Sequence, residues 1–191
     1  RVARVQEAVA RANAQTGNRC HYFPMISGRI DQVESQVRYA MECGVRGILI
    51  APMLVGFDTV RHLSEQLGVV IMGHPALTGT FFHDRKHGMT PAVMLGTIFR
   101  LIGADISIFP NSGGRFHFTR AECLDLAQSL RSSDVPWKKA FPCPAGGMQL
   151  SKLESLRDDF GADTVLLIGG DLLQQGSDRE AGMSRFTDTI K

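Results

Sequence analysis

Short apolar runs alternate with stretches of helical periodicity along the whole chain, and that alternation constrains the fold more than any other feature. About six runs read as strands: "CHYFPMI", "RGILIAPML", "VVIMGHP", "DISIFP", "KAFPCP" and "DTVLLIG". Between them, apolar residues recur at spacings of three and four, the mark of an amphipathic helix. Val2, Val5, Val9 and Ala12 give the first such face, which ends near Gly17. Ile30, Val33, Val37, Ala40 and Met41 give the second, closed by Gly44. Val60, Leu63 and Leu67 belong to a short helix that Asp58 can cap and Gly68 stops. Thr90-Pro91 opens a helix with Leu95, Ile98, Leu101 and Ile102 on its face and Gly103 at its end. Thr119 with Glu122, and Ser151 with Glu154, both match the capping box; their helices run through Leu130 and to Gly161. The segment from Ser177 onward reads as one more helix.

Apolar strands separated by amphipathic helices mean a parallel sheet with helices packed outside it. An open doubly wound sheet and part of a (β/α)8 barrel both satisfy the pattern. A closed barrel needs about eight strands, so about six βα units suit a TIM barrel whose first strands are missing. The chain opens at Arg1, already inside a helical pattern, so we expect part of a longer protein with no signal peptide ahead of it.

Composition narrows the classes of function. The chain has 191 residues, 43% of them hydrophobic, enough to bury a core. Lys and Arg number 21 against 19 Asp and Glu, a balance that gives no reason to expect nucleic acid or an anionic membrane as partner. No apolar run approaches the ~20 residues of a membrane span. Cys20, Cys43, Cys123 and Cys143 form no C-x-x-C pair, which argues against zinc and for free thiols in a reducing cytoplasm.

Ligands of parallel α/β folds sit at the C-terminal ends of the strands. Two consecutive runs there stop at a glycine pair, Gly146-Gly147 and Gly169-Gly170. Backbone N–H groups and a helix N-terminus can hold a phosphate, and a side chain would block the approach. Tight turns with positive φ would also explain the pairs, but their repetition on neighbouring strands favours phosphate. After "DISI", the loop "FPNSGGRF" carries Arg115, a cation suited to carboxylate or phosphate or simply to solvent. His74 stands where "VVIMG" ends, placed for acid–base work or for hydrogen bonding to a substrate oxygen. His21, His62, His83, His87 and His117 have weaker claims, and "HDRKHG" reads as a solvated loop. Walker, G-x-G-x-x-G, G-x-S-x-G and H-E-x-x-H motifs are all absent, and Asp171 is the one acidic residue close after the late strands.

The ordered set "HYFPMI", "MGHPALTG", "HDRKHGM", "RLIGADISIFPNSGGRF", "PCPAGGM" and "DTVLLIGGDLL" resembles the catalytic barrel of the RuBisCO large-subunit superfamily. It is closer to the RuBisCO-like proteins, form IV, than to true carboxylases, and the resemblance covers essentially the whole chain. It implies that residues 1–191 are the C-terminal part of a TIM-barrel catalytic domain, with the N-terminal domain and first barrel strands absent. It also implies Mg²⁺, held by a lysine, carboxylated in the family, and acidic residues upstream of Arg1, so that this chain supplies no metal ligand. His74 matches an active-site histidine, Arg115 falls on a loop lysine, and Gly146, Gly147, Gly169 and Gly170 match phosphate loops. Pro75, Thr78 and Ile108 stand where carboxylases have an arginine and two histidines. These departures argue against carboxylation of ribulose bisphosphate.

What the resemblance leaves is metal-assisted enolisation of a substrate with one phosphate. Decarboxylation of a 3-oxo-isoapionate 4-phosphate type substrate is the leading expectation, since Arg115 and His74 can both meet a carboxylate. Isomerisation of 5-methylthioribulose 1-phosphate and enolisation of a diketo-methylthiopentyl phosphate are alternatives. So is a non-catalytic phosphometabolite-binding protein. A homodimer or higher homo-oligomer is expected, with no nucleic-acid or membrane partner.

Overall fold

The structure is a computed structural model that describes the chain except for residues 85, 115, 117, 171, 173–178, 190 and 191. Five parallel strands form one sheet: β1 (Met25–Ile26), β2 (Gly47–Ile50), β3 (Val70–Gly73), β4 (Ile106–Pro110) and β5 (Phe141–Ala145). Their order in space is their order in sequence. A doubly wound sheet reverses its strand order at a switch point. No reversal occurs here, so the strands stand side by side like the wall of a barrel.

Helices connect the strands on one side: α1 (Val2–Thr16), α2 (Ile30–Glu42), α3 (Pro52–Val55) and α4 (Phe57–Leu67) come first. They are followed by α5 (Ala92–Ile98 continuing through Phe99–Leu101), α6 (Arg120–Arg131), α7 (Leu153–Phe160) and α8 (Arg179–Thr189). Strand residues alternate between two faces. Ile48, Ile50, Ile71 and Phe109 point outward and pack with Val37, Leu63, Leu95, Leu126 and Phe160 in the main core. Each such side chain, removed from water, contributes roughly 1.5–3 kcal/mol. Ile106, Ile108 and Cys143 point the other way, with Leu49, Met72 and Ala145 beside them. Pairing carries a single row, Met25–Leu49–Met72–Ile106–Phe141, across this inner face. Its two ends, Met25 and Phe141, are 46% and 47% exposed, so the inner face is open to solvent at its margins.

Glycine ends several helices as expected: Gly17 and Gly68 take left-handed φ values of 71° and 60°. Gly73 serves another purpose, since a Cβ there would lie 2.7 Å from the Phe99 ring. The Thr119–Glu122 capping box forms in full. Thr90 accepts from the Val93 N–H through its hydroxyl at 3.3 Å. From Ala92 to Ile98 the backbone is wound as a π-helix. The carbonyls of Ala92 and Leu95 accept from the hydroxyls of Ser129 and Ser107, which gives this widened turn partners. Arg100, on the same helix, is 2% exposed and donates to the carbonyls of Ser129, Ser132, Trp137 and Lys138. It thereby caps the end of α6 and anchors the loop that leads to β5.

Three expectations need correction. Ser151 and Glu154 form no capping box: a 3-10 turn at Leu150–Lys152 leads into α7 without a side-chain cap bond. Helix α4 starts at Phe57, so Asp58 lies in its first turn and Gly56 is the cap residue. The run "DTVLLIG" pairs with β5 through one bridge, Ala145 with Leu167. The cause lies in β5: Phe141 donates to β4, and the alternate residue Pro142 accepts from the Val165 N–H on the other side. Pro142 and Pro144 therefore face the last run, and neither has an N–H to give it.

Candidate active site

Two cavities open where the strands end. The larger, of about 750 Å³, is bounded by the segment His74–Gly79, by Ile108–Pro110 at the end of β4, and by Ala145, Gly146, Gly147 and Gly170. Phe82, Phe116 and Phe118 close one side of it. The smaller, of about 300 Å³, is lined by Gly146, Gly147, Met148, Gln149, Leu167, Gly169 and Gly170. Gly146, Gly147 and Gly170 border both.

The glycine turns are shaped by backbone requirements on one side and open space on the other. Gly146 and Gly147 hold φ values of 87° and 67°, where a side chain is strained. No atom lies within 4 Å of a Cβ placed on Gly146, Gly169 or Gly170, so protein packing does not demand glycine there. Among the described residues, the N–H groups of Gly146, Gly147 and Gly169 have no hydrogen-bond partner. Unpaired backbone donors that border a cavity are the elements of an anion cradle. The loop after β4 lies against this cradle: Asn111 donates from its backbone to Ala145 at 2.8 Å. A Cβ on Gly147 would come 3.7 Å from Gly114 Cα.

His74 follows β3 directly, and its own N–H donates to the Ile50 carbonyl at 2.8 Å. The half-buried ring turns back on its loop, where Nδ1 accepts from the Ala76 N–H at 3.1 Å. Burial pushes its pKa below the ordinary imidazole value. Thr78 closes the same turn, donating from its hydroxyl to the Pro75 carbonyl at 2.7 Å. Between them Leu77 is the one described residue other than glycine with positive φ, 65°. Such a conformation persists only where its surroundings impose it.

The structure thus brings His74 to the larger cavity together with Gly146, Gly147 and Gly170, and places Gly169 in the smaller one. Arg115 lies outside the described residues, as do His117 and Asp171. His62 pairs with Glu34 at 3.0 Å on the helical side. His87 sits 3.4 Å from Asp84 and lines a separate cavity with Thr119 and Glu122. The sequence reading did not single out Gln149 or the phenylalanine wall. Gln149 follows the glycine pair by two residues and is the one polar side chain among the described residues of its cavity. Phe116 and Phe118 alternate directly after "GGR", and Phe118 meets Phe82 edge-on at 5.4 Å. Among the described residues, no group of three or more His, Cys, Asp or Glu is placed to hold a metal.

Sequentially ordered parallel strands with a cavity of about 750 Å³ at their C-terminal ends define a protein of the α/β-barrel class. The ribulose bisphosphate carboxylase large chain, catalytic domain, matches residues 1–113, and the chain belongs to that family. A 5-methylthioribulose-1-phosphate isomerase of Rhodospirillum rubrum is 39% identical over 91% of this chain and 45% of its own length. A 2,3-diketo-5-methylthiopentyl-1-phosphate enolase of Geobacillus kaustophilus is 30% identical over 89% of this chain and 42% of its own. The crystal structure of a Rubisco-like protein from Rhodopseudomonas palustris superposes with a TM-score of 0.87 at 36% identity, over 100% of this chain and 50% of that one. The chain spans about half the length of the curated relatives it matches, and its strands are part of the family's barrel. Among the described residues, no helix is long and apolar enough to cross a membrane.

Proposed function

We propose that the whole protein interconverts phosphorylated keto sugars through an enolised intermediate, and that its substrate resembles 5-methylthioribulose 1-phosphate. The observation that carries this reading is the set of unpartnered N–H groups at Gly146, Gly147 and Gly169, beside a cavity walled by phenylalanines. The amides suit a single phosphate, and the wall suits an apolar tail such as a thioether. His74 lines the same cavity as the phenylalanines and Gly146, Gly147 and Gly170. Isomerisation takes a proton from the carbon beside the keto group and returns one to its neighbour, so composition is unchanged. Mg²⁺ would come with residues outside this chain and would stabilise negative charge on the enolised oxygen.

The leading expectation of decarboxylation gives way to this one. The relatives described above are named for isomerase and enolase activities. His74 is held neutral by burial, so it offers a substrate carboxylate no positive charge. Pro75, Thr78 and Ile108 along the larger cavity likewise offer no cation for a second phosphate, which disfavours carboxylation of a bisphosphate. A homo-oligomer remains our expectation, supported by Leu54 in α3 and by Leu77 and Phe116 on the loops after β3 and β4, apolar residues left exposed.

The test is incubation of the intact protein and Mg²⁺ with 5-methylthioribulose 1-phosphate, a diketo-methylthiopentyl phosphate and 3-oxo-isoapionate 4-phosphate in separate reactions. Conversion of the first at constant mass, with solvent hydrogen entering the product, is expected. Release of CO₂ from the third alone would return the decarboxylase, and binding without turnover of any would make the protein a phosphometabolite binder.

A further inference from the structure

The hydrogen bond inside the His74 turn assigns the histidine a definite chemical form. A backbone N–H can only donate, so the Nδ1 that accepts from Ala76 at 3.1 Å carries no hydrogen. A neutral imidazole must then hold its hydrogen on Nε2. That nitrogen lies on the far edge of the ring, has no partner among the described residues, and belongs to a side chain that lines the larger cavity.

We propose that the Ala76 amide fixes His74 as the Nε2–H tautomer, so that the ring meets substrate as a neutral hydrogen-bond donor and not as the proton-abstracting base. A base needs a bare nitrogen facing the substrate, and the bare nitrogen here is spent on the protein's own backbone. The natural acceptor for Nε2–H is the substrate oxygen that gains negative charge on enolisation, where a fixed donor in a dry site acts most strongly. Protonating Nδ1 would break the Ala76 bond and place a charge in a half-buried ring. Both effects keep the imidazole neutral, the latter in the direction burial already drives it. Among the described residues bordering the larger cavity, His74 is the sole titratable side chain, so none of the others opposes this. Leu77, strained at φ 65°, and the Thr78 hydroxyl bond hold the turn that presents the Ala76 amide. The tautomer is a property of the turn alone, whereas the donor role rests on the phosphosugar reading.

Two measurements separate these parts. Nitrogen-15 NMR of the histidine rings in the intact protein, with His74 assigned by its loss in His74→Gln, reads the tautomer without substrate. The expected result is a hydrogen on Nε2 and a bare Nδ1 that persist below the ordinary imidazole midpoint. An Nδ1–H form, an even mixture, or a charged ring at neutral pH would overturn the inference. The second measurement is turnover of 5-methylthioribulose 1-phosphate. A glutamine amide reaches the place of Nε2 and an asparagine amide that of Nδ1. His74→Asn should therefore cost about 100-fold in kcat and His74→Gln about tenfold, since one preorganised donor contributes on that order. Equal losses, or the reverse order, would remove the donor role. No turnover by the unsubstituted protein would instead sink the phosphosugar reading and leave the tautomer to NMR.

Discussion

Gly169 and Gly146 separate ligand effects from folding effects at the level of single residues. A Cβ at either position meets nothing within 4 Å, but only Gly146 carries a positive φ. Gly169→Val should therefore leave the thermal midpoint nearly unchanged and weaken inorganic phosphate binding several-fold by calorimetry. Gly146→Val should weaken binding too, and add a destabilisation of about 1–2 kcal/mol from backbone strain. Unchanged phosphate affinity in both would remove the cradle. His74 supplies a pH test. Its folded pKa is depressed, so between the ordinary value of 6.5 and the lower folded value the unfolded chain takes up a proton that the native ring refuses. The contribution of this neutral ring is complete above about pH 6.5 and is lost as pH falls toward the folded pKa. His74→Gln should flatten the dependence of the denaturation midpoint on pH across that interval; parallel curves would contradict it. The glycine pairs and His74 were legible in the sequence because position after a strand, together with residue type, already implies a role. Gln149 and Phe118 were not, because their part depends on how the loops after β4 and β5 lie against each other.

The helices and strands show where local sequence suffices and where tertiary pairing decides. Thr119 and Glu122 satisfy each other within one turn, so sequence alone could place that cap, and Thr119→Ala should cost about 1 kcal/mol by denaturant titration. Ser151 and Glu154 have the same spacing but enter α7 through a 3-10 turn, which takes the hydroxyl out of capping position. Arg100 gave no signal in the sequence, because its partners are four carbonyls some thirty residues away. Its loss orphans acceptors buried beside α6, so Arg100→Ala should destabilise by on the order of 3 kcal/mol, and lysine should not restore the forked contacts. The last apolar run was legible as an extended segment but not as a weakly paired one. Pro144→Val adds an N–H on the side facing that run and should slow amide hydrogen exchange around Leu167; unaltered exchange would show that the prolines are not the cause.

For the molecule as a whole, the exposed inner face decides behaviour. Met25, Val70, Phe141 and Leu167 are solvent-exposed, and strand register puts the first three on the face that a closed barrel would bury. The 191 residues expressed alone should self-associate and bind a hydrophobic dye, and Val70→Lys with Phe141→Lys should suppress both. A monodisperse, dye-silent chain in sedimentation would contradict this. The order of elements could be read directly from the alternation of apolar runs and helical faces. That the strands form a sequential wall could not be read from the alternation alone, since a doubly wound sheet has the same alternation, and the order of the strands in space distinguishes them.

The prolines of β5 also govern what can happen at that border of the sheet. A stray extended peptide from another molecule that displaced the last run there would meet carbonyl oxygens at Pro142 and Pro144 and no amide hydrogens to answer its own acceptors. The border that leaves the sixth run loosely held is thus also a poor seed for intermolecular stacking.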